Sequence, residues 1–498
     1  MQGEPQNPER ERQAPKPMST QPVPTALWTL GAYCAVLVLV HLWGSAPKEP
    51  AAIEAQVQQQ LLEVEIRMSE AVQWLDPDSA SQIQGLETGL GQFAEDARNL
   101  AYQEQAPPAV REQASAIWLI YSPNTTADPE EPSSSTLARV AEVEQMLPPD
   151  DGESRGALGR IVSLAAAGET ITDDDLELLG DTEMSPWLRS RLHAYIVNAG
   201  APIESSSGHA AQERMFMAKI FAVFAGIGLV GIAGLILLIV LPFVWKRVPH
   251  GLAAAGPAPF VLTPYGGWFV LLVWFAGFLT LPIVYEVLSS LFFADGNGSM
   301  VGIVLVQVAQ GLVGLWAIGT YGMVGPRQPI PQVLSTMRLN LDPFDGSPLR
   351  ALTWGLTGYA VAIPAVVIAS LIQLLLPFES SFASGPIFEW LIHPPDGLSQ
   401  VLVIVAVVIV APFFEECLFR GFLYRQLRAH MGIWKATIAS AAVFSLAHML
   451  AGQVMPLFAL GIVLAVVKER SGGLMPCILV HAFWNGATII ETVVMFGG

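Results

Sequence analysis

Long runs of apolar residues recur along this 498-residue chain. The first run, residues 25–44, stands alone and is followed by a polar stretch that extends to residue 212. A helix needs about 20 apolar residues to cross the hydrocarbon core of a bilayer. The pattern therefore predicts an all-α, polytopic helical membrane protein with about nine transmembrane helices. The eight later runs are 216–244, 267–293, 300–323, 351–377, 398–424, 436–451, 454–467 and 474–496, of which 436–451 and 454–467 are short for a span.

Changes in composition along the chain predict its domain organisation. Residues 1–24 are rich in Pro, Gln and charge, which is typical of a disordered tail, here expected on the cytoplasmic side. Residues 25–44 are interpreted as an uncleaved signal anchor. Residues 45–212 show apolar positions at helical spacing, which predicts an inserted helical domain outside the cytoplasm. Four transmembrane helices with their loops are expected in residues 213–397, and a core of four more in residues 398–496.

The acidic charge of the chain belongs to one region. The chain is 52% hydrophobic and only 14% charged, and its formal net charge is -18. Residues 45–212 contain 28 Asp or Glu against 9 Lys or Arg, so the rest of the chain is almost neutral. Without a basic stripe, a nucleic-acid partner is excluded, whereas the acidic domain is a candidate surface for a protein partner. This domain contains no cysteine, so its stability must come from packing and not from disulfides.

The basic residues of the short loops predict an orientation in the membrane. Under the arrangement of nine helices they all fall on one side, and the alternate short loops, 294–299 and 379–396, contain no Lys or Arg. Positive residues favour the cytoplasmic side, so the amino terminus is expected in the cytoplasm and residues 45–212 outside it. The residues concerned are Arg10, Arg12, Lys16, Lys246, Arg247, Arg327, Arg338, Arg350, Arg425, Arg428, Lys435, Lys468 and Arg470.

Ionisable and polar residues cluster inside the apolar runs of the last third of the chain. A carboxylate in the middle of a bilayer costs at least about 2.5 kcal/mol, so such residues are functional candidates. Glu415 lies 13 residues before Arg428, and His448 lies 13 residues after Lys435, which places both roughly 20 Å from a basic marker. The same count from the nearest basic residue places the polar residues of the last apolar run at that depth. The candidates are Glu415, Glu416, Arg420, His448, His481 and Asn485.

Helical spacing distinguishes the two adjacent carboxylates. Glu416 and Arg420 are one turn apart on the same helix face, so they are expected to form an ion pair. Glu415 then faces elsewhere, as a general base for water should, and His448 either shares that water or is a hydrogen-bonded packing residue. His481 and the Asn485 amide offer the hydrogen-bond donors that a developing oxyanion needs.

The chain resembles the CPBP family of intramembrane proteases at these residues. That family includes the endopeptidases that trim prenylated CAAX proteins and bacterial relatives linked to bacteriocin immunity. Its pattern of Glu-Glu-x-x-x-Arg, Phe-x-x-x-His and His-x-x-x-Asn occurs here in order, at Glu415 to Arg420, Phe444 to His448 and His481 to Asn485. The three motifs fall in separate apolar runs at matching depth, within about a fifth of the chain.

The resemblance implies an intramembrane endopeptidase in a bacterial cell membrane. In this interpretation Glu415 and His448 activate water, His481 and Asn485 line an oxyanion site, and Glu416, Arg420 and Phe444 shape it. The substrate would be a membrane-bound protein or peptide. The expected mechanism uses no metal, because neither histidine belongs to an H-E-x-x-H pair and Asn485 is a better oxyanion donor than zinc ligand. The alternative is a zinc ion held by Glu415, His448 and His481.

Two functions of other classes remain open from the sequence. The large acidic domain allows a non-enzymatic membrane scaffold or a binding protein of the bacteriocin-immunity type. Buried ionisable groups also occur in transporters, but the chain shows no evident inverted repeat. Four further polar residues in apolar runs are predicted to form hydrogen bonds between helices, namely Glu286, Gln307, Gln310 and Gln373.

Overall fold

The described part of the chain in this computed structural model is almost entirely helical and contains no strand. It divides into two compact units. One comprises Met1–Leu42, Gly231–Glu379 and Ile404–Asn485, and the other comprises Trp43–Val230, Ser380–Val403 and Gly486–Gly498. The structure describes residues 30–35, 38, 55, 58–60, 62–67, 86–103, 105–121, 141–143, 145–147, 159, 161, 186–197, 207–244, 264–292, 300–322, 329–337, 347–376, 391 and 397–496.

The described helices of the acidic region pack around a shared apolar core. Its helices are α1 (Leu86–Ala101), α2 (Pro108–Tyr121) and α3 (Pro186–Val197). Fully buried side chains from each of them, and from the segment 62–67, belong to one cluster that includes Ala94, Ile117, Leu188 and Ile66. The guanidinium of Arg111 donates to the carbonyls of Ala101 at 2.9 Å and Met146 at 2.6 Å, which satisfies backbone acceptors where helices end.

Nine helices follow in the described part of the chain, and six of them are long and apolar enough to cross a membrane. The protein is therefore an integral multi-pass membrane protein, although the expected count of nine spans is not confirmed. The helices are α4 (Ser207–Val244), α5 (Pro264–Phe292), α6 (Met300–Ala317), α7 (Ile330–Thr336), α8 (Pro348–Gln373), α9 (Gly397–His430), α10 (Ile433–Ala447), α11 (Val454–Ser471) and α12 (Met475–Phe496). The six spans lie within α4, α5, α6 with the π-helical turn after it, α8, α9 and α12.

The runs 436–451 and 454–467 are two places where the expected count is not confirmed. Helix α10 has only 15 residues, or about 22 Å, and the chain turns directly after it. Met449 adopts a left-handed conformation with φ of 54°, and a short 3-10 helix leads into α11. Apolar content alone could not reveal this turn, because it lies between two apolar runs. The predicted anchor at 25–44 lies mostly outside the described residues, and the tail 1–24 lies entirely outside them.

Hydrogen bonds from neighbouring side chains stabilise the turn between α10 and α11. The Ser445 hydroxyl donates to the Val454 carbonyl at 2.6 Å. The Gln373 side chain accepts from the Met455 N–H at 3.0 Å, which supplies a partner to the first turn of α11. This second bond confirms that Gln373 joins two helices. The turn is thereby held on α8, and His448 lies at the end of α10, where the chain turns.

Candidate active site

Helix α9 carries both glutamates between two π-helical segments, Ala406–Val410 and Cys417–Leu423. Such segments widen a helix locally and occur often at functional sites. The Ala411 N–H donates to the Ala406 carbonyl, and Pro412, which is next in the chain, has no N–H to donate. The Val407 carbonyl instead accepts a hydrogen bond from Asn485 Nδ2 at 2.8 Å. The irregularity in α9 therefore provides the acceptor that holds the Asn485 side chain.

Glu416 and Arg420 form a buried ion pair within α9. Glu416 Oε1 lies 2.8 Å from Arg420 Nη1, and both side chains are 0% exposed. The guanidinium carbon of Arg420 also lies 4.2 Å from the centre of the Phe444 ring, on α10, and Arg420 Nη2 donates to the Gly461 carbonyl on α11 at 3.4 Å. A charge this deeply buried is tolerable only when it is paired and hydrogen-bonded. The pair therefore joins three helices beneath the site.

His481 on α12 contacts both glutamates. Its Nδ1 lies 3.0 Å from Glu416 Oε1, the same oxygen that accepts from Arg420. Since a carboxylate oxygen accepts hydrogen bonds, His481 Nδ1 carries the proton and donates to Glu416. The opposite nitrogen, Nε2, lies 3.9 Å from Glu415 Oε2. Glu416 therefore fixes the orientation of the His481 ring, a role that spacing within α9 could not show.

His448 approaches Glu415 from the end of α10. Its Nδ1 donates to the Phe444 carbonyl at 2.8 Å, one turn earlier in the same helix, and its Nε2 lies 3.7 Å from Glu415 Oε2. The Phe444 ring contacts both histidine rings edge to face, with centre-to-centre distances of 4.7 Å to His448 and 5.8 Å to His481. His448 is thus hydrogen-bonded to the backbone and also directed at the glutamate, so the two interpretations of this residue are compatible.

The exposure of their side chains distinguishes the possible roles of the two glutamates. The side chains of Glu415 and His448 are 26% and 25% exposed, whereas that of Glu416 is fully buried. Glu415 Oε2 makes no hydrogen bond within the described part of the chain. The 3.7 and 3.9 Å to the two Nε2 atoms exceed a direct hydrogen bond and suit a small group between them. Of the two glutamates, only Glu415 has both a partly exposed side chain and a carboxylate oxygen at these distances from two histidine nitrogens.

A cavity of about 150 Å³ borders Glu415 and His448. Its walls come from α5, α6, α9 and α10 and include four Trp or Phe side chains. The residues that line it, besides these two, are Trp274, Phe278, Gln307, Gln310, Gly311, Ala411, Phe414, Phe419 and Ala447. A Cβ at Gly311 would overlap the Phe414 ring, so glycine is needed for this ring to pack against α6.

A segment within the last third of the chain matches a known enzyme family. Residues 397–487 match the family model described as Type II CAAX prenyl endopeptidase Rce1-like. This confirms the CPBP resemblance for the segment that contains both glutamates and both histidines. The match supports a peptide hydrolase at the level of the family. No curated protein and no solved structure matches the chain.

Both histidines of the zinc alternative approach its third member, Glu415, with their Nε2 atoms 3.7 and 3.9 Å from Glu415 Oε2. These atoms are of the types that bind zinc, and each histidine has its other nitrogen held by an oxygen acceptor. Nevertheless, in the described part of the chain no group of three or more His, Cys, Asp or Glu residues has an arrangement that could hold a metal ion. The three side chains therefore have donor atoms of a type that binds zinc, but their arrangement is not one that holds a metal ion.

Helices α5 and α6 contribute site residues that the sequence did not single out. Trp274 and Phe278 stand on α5, and Gly311 on α6, far from the three motifs in the chain. Aromatic residues and glycines are common in membrane helices, so nothing distinguished these positions. Gln310 donates to the Phe278 carbonyl at 2.7 Å, which confirms the predicted hydrogen bond between helices. Gln307 lines the cavity instead, and no such bond is found for it among the described residues.

Proposed function

We propose that the protein is an integral-membrane endopeptidase in which Glu415 activates water to cleave a peptide bond of a membrane-associated protein or peptide. The observation that carries this proposal is the position of Glu415 Oε2, which makes no hydrogen bond among the described residues and lies 3.7 and 3.9 Å from two histidine Nε2 atoms. The family match over residues 397–487 supports the same chemistry. A prenylated substrate would follow from the family, and the geometry of the site does not require one.

The proposed reaction begins with water between Glu415 and His448. The Glu415 carboxylate takes one proton from the water, and the oxygen forms a bond to the carbonyl carbon of the scissile peptide. His448 Nε2 is unprotonated when the ring is neutral, because Nδ1 donates to the Phe444 carbonyl, so it accepts the second water proton as a hydrogen bond. When the carbon–nitrogen bond breaks, protonated Glu415 transfers its proton to the leaving amine.

The developing oxyanion needs donors, and the site offers two of different kinds. Asn485 has two amide protons, of which one is directed to the Val407 carbonyl, so the other is available to a substrate oxygen. His481 donates from Nε2 only as an imidazolium, since Nδ1 already carries a proton. The buried carboxylate of Glu416 holds the His481 ring in this orientation through Nδ1. In this proposal Glu416 and Arg420 position the site and do not contact the substrate.

The test compares purified wild-type protein with Glu415→Gln on a peptide library in detergent, with products identified by mass spectrometry. Glutamine keeps the size of the side chain but cannot take a proton from water, so cleavage is expected to fall to the background level. Glu286→Gln is the matched control, because Glu286 is an exposed intramembrane glutamate on α5, away from the cavity. Activity retained in Glu415→Gln, or no cleavage by any protein including wild type, would favour the non-enzymatic scaffold.

A further inference from the structure

A groove of about 330 Å³ lies in the acidic region, between α1 and the helical residues 58–60 and 62–67. The wall positions recur at intervals of three or four residues in both segments, as expected where two helices present one face each to a shared groove. The groove is larger than the cavity of about 150 Å³ that holds benzene in another protein, so it has room for a long side chain and the peptide group that carries it. The residues that line it are Gln58, Leu62, Glu65, Asp96, Asn99, Leu100 and Gln103.

The groove combines two carboxylates with an apolar base. Glu65 and Asp96 are exposed, and neither side chain makes a hydrogen bond or an ion pair among the described residues. Leu62 and Leu100 are 6% and 3% exposed and belong to the apolar core of the region. This combination suits an ammonium or guanidinium group on an aliphatic stem, because the stem can cover the apolar base while the charged end meets the carboxylates.

The arginines nearest in the sequence to the groove residues are engaged elsewhere. Arg98 lies 2.6 Å from Glu142 and 3.4 Å from Glu95. The guanidinium carbon of Arg67 lies 3.7 Å from the centre of the Phe216 ring. None of the seven wall residues is a Lys or Arg, and the whole region has 28 acidic residues against 9 basic ones. The groove should therefore attract a cation from outside the chain.

Two amides on α1 favour a polypeptide over a free ion as the ligand. Asn99 and Gln103 are one turn apart, and their side chains make no hydrogen bond within the described part of the chain. A primary amide both donates and accepts, so it can pair with the carbonyl and N–H of a peptide backbone. A metal ion fits less well, because no group of three or more His, Cys, Asp or Glu among the described residues has an arrangement that could hold one.

We propose that this groove binds a Lys or Arg side chain of a partner polypeptide. Glu65 and Asp96 contact the charged group, and Asn99 and Gln103 contact the peptide backbone beside it. The proposal does not depend on the proposed endopeptidase function, because the groove contains no residue of the candidate active site. Since the groove is open to solvent, the attraction should weaken as added salt screens the charges.

The first experiment measures the binding of matched peptides to the full-length protein in detergent at low ionic strength. Glu415→Gln serves as the parent protein, so that no peptide is cleaved during the measurement. A fluorescent alanine-based peptide with one arginine is compared with the same peptide carrying citrulline, which has nearly the shape of arginine but no charge. The arginine peptide should bind about three- to tenfold more tightly, and added salt should reduce this difference. Equal binding of the two peptides would overturn the proposal.

Variants of the groove test which carboxylates are responsible. Asp96→Asn and Glu65→Gln, made in the parent protein, should each remove most of the preference for arginine. Glu95→Gln is the matched control, because it removes one charge from the same helix at a residue that does not line the groove. A loss in Glu95→Gln as large as that in Asp96→Asn would show a general attraction to the acidic region and would overturn the proposal.

The role of the amides is tested separately. Gln103→Met keeps the length of the side chain but loses the amide, so it should weaken the binding of both peptides about two- to fivefold and leave the preference for arginine intact. Unchanged binding of both peptides would overturn the assignment of the peptide backbone to this amide.

Carbodiimide crosslinking then identifies the carboxylates that contact the bound peptide. The reagent activates a carboxylate, and an adjacent lysine amine of the peptide displaces the activating group and forms an amide bond. With a lysine peptide, crosslinks mapped by mass spectrometry should concentrate at Glu65 and Asp96 and should decrease when the arginine peptide is added in excess. Crosslinks spread over the other carboxylates of the region would overturn the proposal. Loss of the crosslinks with calcium chloride too dilute to change the ionic strength would also overturn it, in favour of a metal ion.

Discussion

Replacement of Glu416 by glutamine should destabilise the protein far more than replacement of Glu415. The pair Glu416–Arg420 is fully buried, with 2.8 Å between Oε1 and Nη1. Glutamine leaves the Arg420 charge in a low-dielectric site with only a carbonyl contact at 3.4 Å and the Phe444 ring. Loss of one partner of a buried pair costs roughly 3 to 5 kcal/mol, which is a large part of the stability of an ordinary domain. Glu415, which is partly exposed and has no such partner, should tolerate the same change.

The assay is thermal unfolding in detergent, monitored beside the recovery of monodisperse protein. Glu416→Gln should unfold at a clearly lower temperature than wild type, whereas Glu415→Gln should unfold close to it. The double variant Glu416→Gln with Arg420→Met should recover much of the loss, because it removes both charges and fills the space with an apolar side chain. Its glutamine oxygen can still accept from His481. If Glu416→Gln unfolds like wild type, the buried charge is not what holds these helices together.

Three other predictions address the mechanism, the cavity and the orientation. Asn485→Ala should lower kcat about a hundredfold with little change in KM, and a strong chelator should leave the activity of the wild type unchanged. Zinc that is stoichiometric with active protein would instead favour the zinc mechanism. Gly311→Ala should lower both the activity and the unfolding temperature, because the new Cβ overlaps the Phe414 ring. The expected loss in the free energy of unfolding, measured by denaturation, is about 1 to 3 kcal/mol. Wild-type values would show that this ring can move freely. A cysteine introduced near Ser299 should be labelled from outside the cell and one near Arg428 should not, and since the three native cysteines are buried, the reverse pattern would invert the orientation.

The spacing of residues within single helices predicts much of the site. The i, i+4 spacing of Glu416 and Arg420 predicts their ion pair, because residues one turn apart on a helix face each other. Depth measured from basic residues predicts that Glu415, His448 and His481 share one layer, and the distances of 3.7 and 3.9 Å show these three side chains together. Such predictions succeed because helix geometry is regular and because the bilayer excludes unpaired charge from its core.

Contacts between distant parts of the chain could not be predicted in this way. Which carboxylate His481 would bind depends on how α12 packs on α9. The spacing of residues within either helix carries no information about that packing. The acceptor for Asn485 exists because a π-helical segment meets Pro412, and the turn after His448 depends on Gln373 from another helix. The cavity needs α5 and α6, whose aromatic residues and glycines resemble those of any membrane helix.

The sequence alone determined that this is a helical membrane protein, and its patterns predict an acidic helical insertion and a charged layer in the last third. It could do so because hydrophobicity, charge and helical periodicity act through near neighbours in the chain. Only the tertiary structure decided that Glu416 orients His481, that Glu415 stays accessible and that an aromatic cavity borders it. These features are set by side-chain packing between helices, where fractions of an ångström matter and where residues far apart in the sequence come into contact.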